Sequence, residues 1–347
     1  MPELPEVEVV RAGLAPAITG ATVSSVEVFD ARSLRRHDPA AGDFAARLTG
    51  QRFTAAVRRG KFLWLPLAAP TVVGVSAVVS APTAANKTTD NFRDTPVAPL
   101  QHPARRCESP SFSALLVHLG MSGQVLLREP GARLEDDGPV RIRLVLQHPE
   151  HGELAVHFVD QRIFGSMAVD RLVDTPDAAP GGFGDSAALV PSQVAHIARD
   201  PLDPAFSDAA FLASLQRKNT GIKRALLDQT LISGIGNIYA DEALWAARVH
   251  FAQPTASLSS RKARAVLTEV RLVLAKALAE GGTSFDAHYV NVNGASGYFS
   301  HSLNAYGQQG KPCPRCGRPM VREAFMNRSS HFCPHCQRLR VPRLLQS

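Results

Sequence analysis

The chain has 347 residues, enough for roughly two domains, each with its own core. With 45% hydrophobic residues and no apolar run of membrane-spanning length, it reads as soluble, and a helical membrane protein is excluded. A formal net charge of +7 points to an acidic partner, and the first residues lack the basic and apolar regions of a signal peptide, so the expected location is cytoplasmic, with access to the chromosome.

The chain opens Met1-Pro2-Glu3-Leu4-Pro5-Glu6. Proline after the initiator methionine favours removal of Met1, which leaves Pro2 as a free secondary amine. An α-amino group titrates near 7.7–8.0, so a useful fraction is neutral and nucleophilic at physiological pH. Such an amine can form an iminium ion with an aldehyde-like carbon, with Glu3 beside it to move protons and Glu6 one helical turn on. The plainer reading is that Pro2 starts the chain and the two glutamates favour a helix N-terminus.

Glu6–Leu14 is expected to form a short helix ending near Gly13 or Pro16. Strand-like runs follow at Ala21–Phe29, Arg52–Leu67, Ala114–Leu119, Gln124–Arg128, Arg141–Gln147, Glu153–Phe158 and Ser166–Asp170, with Gly and Pro between them. No βαβ alternation is present, which favours an antiparallel sandwich over a parallel sheet. Residues 70–113 break the pattern with Ala, Thr, Asn and repeated Pro, and read as a long disordered insertion that is dispensable to the fold. Cys107 stands alone within it. Taken by itself, Lys61 reads as a solvated strand residue, and Met121 and Phe164 as core residues.

From about Pro204 the chain turns helical. The predicted helices are Asp208–Lys218, Gly221–Asp228, Asn237–Ala246, and a long one capped by Ser259 or Ser260 that runs through Glu280 to Gly281-Gly282. The run Leu231–Ala240 places glycines just before a helix start. Exposed N–H groups there make a phosphate site, to which Asn237 would add a side-chain contact; equally, the glycines serve tight helix packing. In the tail, Cys313-x2-Cys316 and Cys333-x2-Cys336 have the spacing of a four-thiolate structural zinc site, one Zn2+ per chain, built on a β-hairpin. His331 and His335 lie near these cysteines but find no vacancy. From His301 to Ser347 there are eight Lys/Arg and one acid, Glu323, so the tail matches the entire net charge and suits a surface that neutralises phosphates.

Met1 to Val9 resembles the start of the formamidopyrimidine-DNA glycosylases, whose N-terminal proline is the nucleophile; the related endonuclease VIII group usually carries glycine where this chain has Leu4. Further segments are similar to that family in the same order. Arg58-Arg59-Gly60-Lys61 resembles the segment with a lysine that assists elimination. His118–Gly123 looks like the loop whose methionine, here Met121, fills the gap left by an extruded base. Asp160–Gly165 resembles its partner loop, in which Arg162 would face the orphaned base and Phe164 would wedge the stack, as apolar wedges do in duplex-bending proteins. Lys218 and Asn237 match residues of a helix-two-turns-helix that bind DNA, and Arg328, in Asn327–Ser330, matches an arginine that grips phosphates beside the flipped nucleotide. There are three departures: the insertion stands where the family has a short turn, Pro139 where it often has a histidine, and Ala295, in the loop Val292–Gly297, where some members have lysine.

The resemblance implies an α+β fold: an N-terminal antiparallel β-sandwich domain (1–195), a helix-two-turns-helix domain (204–300) and a four-cysteine zinc finger (301–347). It also implies a monomeric glycosylase and abasic-site lyase acting on oxidised purines in double-stranded damaged DNA, with Pro2, Glu3, Lys61 and Arg328 catalytic. Two rivals stand beside it: an endonuclease VIII-like enzyme for oxidised pyrimidines, against which Leu4 and the Met121/Arg162/Phe164 set argue, and a non-catalytic zinc-ribbon DNA binder, which has no need of Pro2, Glu3 and Lys61.

Overall fold

The computed structural model describes residues 2–68, 112–283, 292 and 299–340. Most of the stretch read as an insertion, Cys107, and the loop containing Ala295 therefore lie outside the described residues.

The first helix, α1, spans Leu4–Ile18, longer than its sequence pattern suggested. Val7, Val10, Leu14 and Ile18 recur at helical spacing and are all buried. Burial of Leu14 and Ile18 carries the helix past Pro16, which forfeits one backbone hydrogen bond in the last turn. Gly13 does not end the helix; a Cβ there would lie 2.5 Å from Val292, so the glycine allows close packing.

Two antiparallel sheets pack against α1. One has the order β1-β6-β7-β5, made of Thr22–Val28, Val140–His148, Gly152–Asp160 and Gly123–Arg128. The other has the order β2-β3-β4-β8-β9, made of Val57–Arg59, Phe62–Pro66, Ser113–His118, Ser166–Asp174 and Leu189–Pro191. Strand β6 alternates buried and half-buried positions, turning Ile142, Leu144 and Leu146 inward. These meet Leu63, Leu65, Leu115, Val117 and Met167 of the facing sheet in one core. The second sheet is covered on its other face too, where Val194 and Ile197 cluster with Trp64, Leu116 and Val190 of the sheet itself, which explains the unbroken apolar run of β3. The expected single strand Arg52–Leu67 is a hairpin instead: Arg59 pairs with Phe62, and Gly60-Lys61 forms the turn, with Gly60 at φ 56°. Helix α2 (Phe44–Leu48), capped by Asp43, and strand β9 were not anticipated from the sequence.

The remaining helices are α3 (Asp208–Arg217), α4 (Ile222–Leu226), α5 (Asn237–Ala246) and α6 (Ser260–Ala279). They share a second core with Leu4, so α1 contributes to both cores. Strands β10 (Val321–Phe325) and β11 (Arg328–Phe332) form the expected hairpin between the two cysteine pairs. Among the described residues no helix is long and apolar enough to cross a membrane.

Candidate functional site

Pro2 is buried and leads into Glu3, the N-cap of α1. The Glu3 backbone N–H donates to Glu6 Oε2 at 2.8 Å, while the Glu3 carboxylate reaches across to the start of α5. There it accepts the N–H groups of Gly236 and, at 3.0 Å, Ile238. The glycine-flanked helix start read as a phosphate site is thus filled by a carboxylate of the chain itself, which caps α5 and complements its dipole. The reason for glycine is steric: a Cβ on Gly236 would lie 2.3 Å from the Glu3 carboxyl. Leu4 N–H donates to Gly234 carbonyl at 2.9 Å, completing the dock. Glu6 Oε1 accepts from Thr283 N–H at 2.8 Å, from its hydroxyl at 2.9 Å and from Tyr239 hydroxyl, so the chain start is held by both ends of the helical half.

Burial pushes Glu3 up to about 7; nearby Lys61 and the two N–H groups oppose that rise, and Glu6 adds to it. Lys61 is itself lowered by burial and by Arg328, against the attraction of Glu3 and Glu6. Lys61 therefore lies within electrostatic reach of both Glu3 and Arg328. Lys61 owes its position to a braced turn: Arg58, buried, pairs at 2.8 Å with both Glu8 and Asp200, and Asp200 also accepts Gly60 N–H at 3.3 Å.

Lys61, Lys218 and Arg328 line one cavity of about 800 Å3, together with Phe62, His118 and Met326. His118 is lowered to about 4 by burial and the neighbouring Arg36, Arg35 and Lys61, so it presents a neutral ring. Lys218, following α3, pairs with Asp228 at 2.6 Å. Asn237 is half-buried: its amide donates to Ser329 carbonyl at 3.2 Å, and its Oδ1 has no partner among the described residues. Arg328 is exposed at the start of β11, after a turn in which Met326 holds φ 52°, a strained value for a side-chain-bearing residue.

Two further loops project from the sandwich. Met121 is 45% exposed and Phe164 48%, so neither is the core residue that its type alone suggests. Arg162 is exposed beside Phe164. Asp160, which the sequence offered only as part of a motif, ties the two loops together. Its Oδ1 accepts Ser122 hydroxyl at 2.5 Å and Arg162 N–H at 3.1 Å, and its Oδ2 accepts Gly165 N–H at 2.6 Å. Arg35 holds the same loop through Ile163 and Phe164 carbonyls. Pro139 contributes its carbonyl to Asp160 N–H at 3.3 Å.

The hairpin carrying Arg328 is fastened by residues that the sequence did not single out. Lys223, fully buried, pairs with Asp241 at 2.7 Å and donates to Ser329 carbonyl and Ser330 hydroxyl. The other oxygen of Asp241 accepts His331 N–H at 2.9 Å. Helix α5 thus grips β11 along its length. The cysteines follow at the far end of the module: the sulfurs of Cys313, Cys316, Cys333 and Cys336 all lie within 4.8 Å of one another. A tetrahedral zinc with thiolate bonds of about 2.3 Å sets its sulfurs roughly 3.8 Å apart, so the set fits that ion and closes its shell.

The comparisons agree with this geometry. Family profiles match the formamidopyrimidine-DNA glycosylase N-terminal domain over residues 1–167, the corresponding H2TH domain over 197–288, and a zinc finger found in FPG and IleRS over 310–339. With the four sulfurs in place, the module holds one structural zinc ion. The chain is 60% identical over 339 residues to the formamidopyrimidine-DNA glycosylase of Leifsonia xyli, covering 98% of this chain and all of the relative. It is 50% identical to that of Thermobifida fusca, covering 97% of each. Among solved structures, the MutM (Fpg) protein of Thermus thermophilus is similar at 30% identity and TM-score 0.69, over 98% of this chain and all of that one. The wild-type Lactococcus lactis Fpg (MutM), solved in complex with N7-benzyl-Fapy-dG-containing DNA, is similar at 25% identity and TM-score 0.69, over 97% and 100%. The protein belongs to the formamidopyrimidine-DNA glycosylase family of DNA repair.

Proposed function

We propose that the protein excises oxidised purines, 8-oxoguanine and formamidopyrimidines, from duplex DNA and then cleaves the strand as an abasic-site lyase. The observation that carries this reading is that Lys61 shares a cavity with Arg328 and lies within electrostatic reach of Glu3, which follows Pro2 and whose carboxyl is raised to about 7 by burial. The Lactococcus relative's complex with Fapy-type DNA supports the substrate class.

In this reading the damaged nucleotide is flipped out of the stack, at a cost of a few kcal/mol that is lower for a lesion. Met121 fills the gap, Arg162 faces the orphaned base and Phe164 wedges the stack, while Lys218, Asn237 and Arg328 hold the backbone. With Met1 removed, the Pro2 nitrogen attacks the anomeric carbon. The glycosidic bond breaks, and the base leaves with its electron pair and takes up a proton. Ring opening then leaves an iminium between Pro2 and the sugar, with Glu3 moving protons there. A carboxyl poised near neutrality both gives and takes a proton at working pH. Loss of a C2′ proton expels the 3′ phosphate, a second elimination expels the 5′ phosphate, and water releases the amine. Lys61 and Arg328 assist these eliminations. The zinc, closed by four thiolates, keeps the hairpin folded and touches no reacting atom. The working form is a monomer of three parts, residues 1–195, 204–300 and 301–347, acting in the cytoplasm on the chromosome.

Borohydride reduction on a duplex with one 8-oxoguanine tests the nucleophile. Covalent attachment mapping to residue 2, partly retained in Pro2→Gly and lost when Met1 is kept, is expected. An adduct on Lys61 or another lysine would overturn the assignment.

A further inference from the structure

A second basic cavity, of about 610 Å3, lies between the start of α6 and the distal end of the zinc module. Arg248, Arg261, Lys262, Arg338 and Arg340 stand in its wall, with no aspartate or glutamate. It shares no residue with the cavity of Lys61 and Arg328. None of these five cations forms an ion pair among the described residues. That sets them apart from Arg58, Arg128, Arg199, Lys223 and Arg271, each of which has a carboxylate partner.

Like charges gathered without a counter-charge repel, and here the repulsion is felt. Lys262, whose ammonium donates to Ala247 carbonyl at 2.6 Å, is lowered first by burial and then by Arg340, Arg248, Arg261 and Arg315. A fold gains nothing in stability from such a cluster, whereas a multiply charged anion would relieve it. Guanidinium forks take phosphate oxygens two at a time, and a chain of phosphates presents several such groups to one cluster of cations.

We propose that this cavity is a second anion site, which binds clustered phosphate oxyanions, those of a polyphosphate chain or of a nucleic-acid backbone.

The test uses the full-length, zinc-loaded protein and inorganic tripolyphosphate as probe, followed by calorimetry at low ionic strength. Arg261→Ser/Arg340→Ser should bind the probe about ten-fold more weakly or worse, a difference of roughly 1.4 kcal/mol, and Arg261→Lys/Arg340→Lys, which keeps both charges but loses the bidentate forks, should fall between the serine variant and the wild type. Zinc content and circular dichroism check the fold, and Arg261→Ser alone, remote in sequence from the cysteines, repeats the test if the double variant loses zinc. Two duplex lengths then separate the sources. If backbone phosphates occupy the cavity, the salt dependence of binding to a long undamaged duplex should fall by roughly two contacts, about 0.9 per contact on the log–log slope, and that of a short duplex should not change. If free polyphosphate is the ligand, both slopes should stay as they are while probe binding is lost. Equal binding of tripolyphosphate by the wild type and the serine variants, or by neither, would overturn the proposal.

Discussion

Glu3 offers a direct thermodynamic reading of the site. Its carboxyl lies at about 7 in the folded chain against an ordinary 4.5, chiefly because burial disfavours the charged form. Between those two values the folded state holds a proton that the unfolded state has released, so stability must fall as pH rises through this window. Each pH unit of displacement is worth about 1.4 kcal/mol, so the full loss attributable to Glu3 is roughly 3 kcal/mol, complete above the folded value. Glu3→Gln removes the titration. The amide keeps an acceptor for one of the Gly236 and Ile238 N–H groups and fails the other, at a cost of about 1–3 kcal/mol that does not vary with pH. Urea unfolding of both proteins between about pH 5 and 8 isolates the effect of Glu3 and the groups coupled to it, because titrating groups remote from Glu3 cancel in the difference. The wild type should lose most of that roughly 3 kcal/mol relative to the variant as pH rises. A difference that is flat, or that favours the wild type at high pH, would mean that Lys61 and the two N–H groups keep Glu3 ionised, and that the proposed proton donor is absent at neutrality.

Other outcomes follow from the same contacts. Asp241→Ala strands the buried Lys223 ammonium and should cost about 3–5 kcal/mol in urea unfolding, while Lys223→Met/Asp241→Leu should cost less; near-wild-type stability of the alanine variant would refute the clamp. Cys333→Ser, or chelation, should release the zinc, unfold the hairpin and sharply weaken DNA binding, since metal affinity here is folding free energy; full DNA affinity in metal-free protein would count against it. Met121→Ala and Phe164→Ala should leave stability within about 0.5 kcal/mol, because both side chains are half exposed. Their affinity for lesion duplex should nevertheless fall on the order of ten-fold, and unchanged affinity would rule out the wedge.

The sequence by itself determined those features that local chemistry controls. Two Cys-x2-Cys pairs specify a metal site because two short turns suffice to present four sulfurs. Alternation along β6 and the 3.6-residue period of α6 declare their buried faces, and Ser259 caps α6 where expected, accepting Lys262 N–H. What only the tertiary structure decided are polar contacts between distant segments. The Glu3 carboxylate meets an N–H group 233 residues away and turns an expected phosphate cradle into an internal cap. Asp200 reaches 142 positions back to Arg58 to brace the Lys61 turn. Asp160 binds the two projecting loops, and Lys223 with Asp241 seats the hairpin of Arg328. Exposure of Met121 and Phe164 belongs here as well, since an apolar side chain looks the same in sequence whether it fills a core or projects from a loop. Such pairings leave no periodicity along the chain. A buried charge is stable only beside its partner, and that partner is chosen by packing, after the helices and sheets have come together.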